Sequence, residues 1–71
     1  MTYEEAVQWL KSKGGTTWCG PSTEVDGQLI VHVTIPSGGM SLAVDDKAAA
    51  QHAAVVTMVT TMKGADESPN R

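Results

Sequence analysis

Residues 29–35, Leu-Ile-Val-His-Val-Thr-Ile, constrain this chain more than any other segment. Side chains branched at Cβ fit a pleated surface well. A run of this kind bounded by Asp26-Gly27 and by Pro36-Ser37-Gly38-Gly39 reads as a strand with a turn at each end. Two flanking segments can supply its neighbours: Thr16-Thr17-Trp18-Cys19 before it, and Met40-Ser41-Leu42-Ala43-Val44, alternating apolar with small, after it. The middle of the chain is therefore expected to form a three-stranded antiparallel meander.

Helical patterns flank the meander. Thr2 followed three residues later by Glu5 fits a capping box. Tyr3, Ala6, Val7 and Leu10 then form one apolar stripe, and Lys11 and Lys13 before Gly14-Gly15 supply a stop, so a helix is predicted over residues 3–13. Asp45-Asp46 can cap a second helix, in which Ala48, His52, Val55, Val59 and Met62, flanked by Ala49, Ala53 and Val56, mark a buried face. Its Val- and Thr-rich part, residues 55–62, also reads as a strand, an alternative under which every face assignment below falls. The expected fold is α+β, order αβββα, with both helices on one face of the sheet. Residues 1–63 form a single domain in this reading, and 64–71, with nothing to bury, a disordered tail.

A two-residue hairpin at Asp26-Gly27 sets Val25 opposite Gln28, Cys19 opposite Thr34 and Trp18 opposite Ile35. A four-residue turn at Pro36–Gly39 then pairs Ile35 with Met40, Val33 with Leu42 and Val31 with Val44. Both registers place Trp18, Leu29, Val31, Val33, Ile35, Met40, Leu42 and Val44 on the core face. Thr17, Cys19, Thr23, Ile30, His32, Thr34, Ser41 and Ala43 fall on the other face, a mixture suited to contact with a partner. Gly20-Pro21 leaves open a longer loop from Gly20 to Gln28, which shifts the upstream pairs.

Chemistry is bounded by composition. At 71 residues the chain buries about 60% of its unfolded surface, which leaves little room for a deep cleft, and an enzyme is not expected. Net charge −3 is the wrong sign for a surface that attracts phosphate over its whole area. One cysteine, Cys19, cannot close an internal disulfide, and neither a CxxC pair nor a His cluster is present, so no metal or cofactor is expected. The acidic start Met-Thr-Tyr-Glu-Glu is unlike a signal peptide, and no apolar run approaches a membrane span, so the expected compartment is the cytoplasm.

A helix, three antiparallel strands and a helix over residues 2–63 resemble the double-stranded-RNA-binding domain. Gly20-Pro21 stands where that family has its Gly-Pro-x-His loop, and Lys47, Ala49, Ala53 and Ala54 match part of its Lys-Lys-x-Ala-Lys-x-x-Ala-Ala helix signature. The resemblance implies phosphate contacts at the start of the second helix. There, however, Asp46 and Ala50 replace two of the lysines, and Thr23 replaces the loop histidine, so the RNA surface is depleted. Such a depleted domain is expected to bind protein instead.

The leading expectation is thus a small acidic protein-binding module, perceived as the class that includes phage and mobile-element inhibitors of host machinery of the anti-CRISPR type, with a homodimer as one form. Its contact residues are Trp9, at the border of the first helix's apolar stripe, with Thr17, Cys19, Ile30, His32 and Thr34. The alternative is double-stranded RNA binding through Lys11, Lys13, Lys47 and Lys63. A third reading pairs Cys19 with His32 as thiolate and base; no residue is placed to orient the imidazole, and a free strand thiol is the simpler account.

Overall fold

The computed structural model describes residues 1–24 and 26–66. Helix α1 (Tyr3–Ser12) is followed by strands β1 (Thr16–Pro21), β2 (Gln28–Ile35) and β3 (Gly38–Asp45) and by helix α2 (Ala48–Asp66). The strands form one antiparallel sheet, order β1-β2-β3. The α+β class and the αβββα order are those expected. Val25 and residues 67–71 lie outside the described residues, and with them the Val25–Gln28 pair and most of the expected tail.

Local chemistry sets both ends of α1. Thr2 Oγ1 accepts from the Glu5 amide at 3.1 Å, and Glu5 Oε1 accepts from the Thr2 amide at 2.7 Å, closing the capping box. The hydrogen bonds from the Thr2 backbone and hydroxyl hold the Glu5 carboxyl below its ordinary pKa. At the other end, Gly14 takes φ +71°, its amide donates to Lys11 O and the Gly15 amide to Leu10 O. That pattern is a Schellman stop, which needs the left-handed backbone only glycine adopts freely.

Both helices pack on the same face of the sheet. Ala6 and Leu10 of α1, Val31 and Val33 of β2, and Ala54, Val55, Met58, Val59 and Met62 of α2 make one core, with Tyr3, Trp9, Ile35, Val44 and Val56 packed against it. The Val and Thr residues of α2 are middling helix formers. Their apolar members Val55 and Val59 are buried against the sheet, and that packing holds residues 55–62 as helix rather than strand. Ala48, Ala49, His52 and Ala53, expected on the buried face, are instead exposed, and the His52 ring at the border with α1 stacks on Tyr3 at 4.0 Å and 16°.

The helix continues through Gly64, Ala65 and Asp66, three residues beyond Lys63. Lys13 at the end of α1 reaches Asp66 at 3.0 Å, so the two helices run side by side in the same direction. A Cβ added at Gly64 meets nothing within 4 Å. Gly64→Ala therefore removes backbone freedom from the unfolded chain at no steric cost, and is expected to raise the unfolding free energy by about 0.5–1 kcal/mol in a urea titration.

Candidate interaction surface

Two differences in strand register decide which side chains reach the sheet face opposite the helices. Strand β1 pairs Trp18 with His32, Cys19 with Val31 and Pro21 with Leu29. Compared with the two-residue hairpin expected at Asp26-Gly27, β1 has slipped by three positions. The last pair is Pro21 with Leu29 and the Ser22 amide then donates to Gln28 O, so the strands are joined by more than a two-residue turn. Side chains alternate along a strand, so an odd slip turns β1 over.

Trp18, assigned above to the core, accordingly lies on the open face and is 58% exposed. Thr17 and Cys19, assigned to the open face, lie on the helix side opposite Val33 and Val31. The β2–β3 pairing differs by an even slip of two, because the turn is only Pro36-Ser37 and Gly38 already pairs with Ile35. Val31, Val33, Met40, Leu42 and Val44 thus keep the face expected of them. Met40 and Leu42 are nonetheless exposed, since among the described residues no helix covers the outer edge of β3.

The open face is built from three rows. Thr16, Trp18 and Gly20 of β1 lie beside Thr34, His32 and Ile30 of β2, which lie beside Gly39, Ser41 and Ala43 of β3. None of these nine residues carries a formal side-chain charge with histidine neutral. Trp18 is held from two sides. Its ring centroid lies 5.1 Å from that of His32, tilted by 46°, and the indole crosses Gly20, where an added Cβ would fall 2.3 Å from Trp18 Cη2. An aromatic ring laid over a glycine two residues along the same strand restores the apolar cover that the glycine lacks. Beyond it, Thr16 and Thr34 join their hydroxyls across the strands at 3.0 Å.

Of the residues proposed for partner contact, Ile30, His32 and Thr34 share this face. Trp9 does not: it is half-buried against the core on the helix side, with Lys13 Nζ 5.8 Å from its ring centroid. Trp18, which the expected hairpin register set inward opposite Ile35, is the residue that was missed. The spacing of Trp18 and Gly20 was the available signal.

Cys19 and His32 point to opposite faces, so the thiolate–base pair considered from the sequence is not assembled. Cys19 is free and exposed, in a small cleft of about 100 Å³ shared with Tyr3, Gln51 and His52. His32 and His52 stand on opposite sides of the sheet, and among the described residues no three His, Cys, Asp or Glu gather as metal ligands.

The four lysines of the RNA reading are divided between the ends of the molecule. Lys11 and Lys13 close α1 and Lys63 lies in the last turn of α2, the same end, where Lys13 is joined to Asp66. Lys47 precedes α2, a helix about 28 Å long. It follows directly on Asp45 and Asp46, and the β1–β2 loop bearing Glu24 and Asp26 lies at that end of the sheet, because Gln28 pairs with Asp45. Among the described residues no helix is long and apolar enough to cross a membrane. No family model matches the chain, and no curated protein or solved structure is significantly similar to it.

Proposed function

We propose that this chain is a protein-binding module that acts through the sheet face opposite its helices, with Trp18 as the anchor. One observation carries the reading: a tryptophan 58% exposed on an uncharged face, in the edge strand beside His32 of the middle strand. An indole offers large apolar area with one polar atom, the chemistry that dominates binding energy at protein interfaces. Contact with Gly20 and His32 restricts the ring before any partner arrives, so less entropy is lost on binding. The partner that fits is a protein surface of matching character, apolar with hydrogen-bonding groups and little charge. Inhibition of host machinery, the consequence drawn from size and acidity, is the special case in which the surface covered is one the partner needs.

The likeness to the double-stranded-RNA-binding domain is supported by the αβββα order and the shared helix face. RNA binding draws no further support. Lys47 stands alone at the start of α2 with acidic neighbours in sequence, and Lys11, Lys13 and Lys63 are at the far end. Phosphates approaching the start of α2 meet like charge.

The test uses the wild type, Trp18→Ser and Lys47→Glu as tagged baits in host lysate, with and without nuclease. We expect a nuclease-resistant protein recovered near stoichiometrically by the wild type and Lys47→Glu, and at least tenfold less with Trp18→Ser, whose helical circular dichroism stays unchanged. Recovery of duplex RNA that Lys47→Glu abolishes and Trp18→Ser leaves intact would contradict the proposal.

A further inference from the structure

A second interaction surface lies on the other side of the sheet from the open face, along the outer edge of β3. Among the described residues this strand is paired with β2 on one side only, so its other side presents backbone donors and acceptors over Gly38–Asp45 to which no described strand is paired. Edges of this kind are ordinarily blunted by lysine, proline or a bulge. From Gly38 to Val44 there is neither a charge nor a proline. The opposite edge differs: β1 is shorter, six residues against eight, and ends in Gly20-Pro21, where proline has no amide to offer. Met40 and Leu42 stand on the helix side of the β3 edge, 38% and 42% exposed.

The geometry points to a second copy of this chain as the occupant, its β3 antiparallel to the first across a two-fold axis near Ser41. Charge along the strand does not oppose self-pairing. The one charged residue of β3 is Asp45 at its end, and the antiparallel arrangement sends the two Asp45 residues to opposite ends of the seam, well beyond a Debye length of about 8 Å. Between them, Met40 meets Leu42 of the second copy and Leu42 meets Met40, so each apolar residue that one chain exposes is covered by the other.

The flank of α2 suits this arrangement. Tyr3 against His52 and Met1 against Thr60 put α1 on one side of α2. Ala50, Thr57, Thr61 and Ala65 recur at helical spacing on the other side, and Ala65 borders the same depression as Gly38 and Gly39. Since α2 packs on β2 and β3 alike, continuing the sheet at about 4.8 Å per strand puts its axis roughly 10 Å from its mate. That is the separation of packed helices, and small side chains permit it. The assembly is a six-stranded sheet with all four helices on one side, both open faces left free.

This inference does not depend on the partner-binding reading. Sedimentation velocity of the full chain between about 10 µM and 1 mM should show the 7.5 kDa monomer giving way to a species of twice that mass. Leu42→Lys and Met40→Lys should each weaken the dimer at least tenfold with circular dichroism unchanged, and Trp18→Ser should leave it intact. In a mixed sample of labelled and unlabelled chain, intermolecular NOEs should connect the methyls of Met40 and Leu42. A wild type that remains monomeric at 1 mM overturns the inference. So does a dimer that survives both lysine substitutions, or one that is lost with Trp18→Ser.

Discussion

Met58→Ala is expected to lower the unfolding free energy by about 2–5 kcal/mol, enough to leave much of the chain unfolded at room temperature. Met58 is 1% exposed and is the largest fully buried side chain among the described residues. It lies on the face of α2 turned to the sheet, in a core built from nine buried residues, two of them alanine and four of them valine. Truncation removes three heavy atoms from this layer, and the valines, stiff at χ1, cannot close over the space. A chain of this size holds little stability in reserve. Urea denaturation followed by circular dichroism measures the effect, and a loss under 1 kcal/mol would mean that α2 does not seat on the sheet as described.

Gly15→Ala comes second, at about 1–3 kcal/mol. Gly15 joins the Schellman stop of α1 to β1, and a Cβ there would fall 2.6 Å from the Thr34 carbonyl oxygen, 2.9 Å from Ile35 Cγ2 and 3.1 Å from Leu10 Cδ2. The first of these is backbone held in the sheet, so relief requires moving α1 away from β2. The same chemical change at Gly64 meets nothing and is expected to stabilise. The pair of variants, opposite in sign, separates steric approach from helix propensity. Melting temperatures should move in opposite directions, by roughly 4–8 °C per kcal/mol in a domain of this size.

Much of this architecture is legible in short-range signals. The Thr2–Glu5 spacing and Gly14-Gly15 mark the ends of α1, and residues 29–35 can only be the middle strand of three. The faces of β2 and β3 survive the shorter turn because the slip is even. What fails is β1. Its alternation sets Thr16 and Trp18 against Thr17 and Cys19, each side one threonine and one apolar group, so periodicity alone does not choose a face. Asp26-Gly27 resembled a tight hairpin, which set Trp18 opposite Ile35, whereas β1 and β2 are joined by a longer connection. The longer connection goes with the observed register, which leaves Trp18 over Gly20 on the open face, a contact within one strand that hydrophobic patterning does not weigh. The candidate surface moved with it: Ile30, His32 and Thr34 stayed, Thr17 and Cys19 left, and Trp18 arrived. The division of the lysines was hidden for another reason, since it depends on α1 and α2 running in the same direction.

The exposed position of Trp18 is the premise on which the interaction surface rests, and proton NOEs from its indole test it most directly. The account predicts cross-peaks to the His32 ring, 5.1 Å away between centroids, and to the Gly20 α-protons. Cross-peaks from the indole to the methyls of Ile35 and Val33, in place of His32, would return Trp18 to the core and contradict the account.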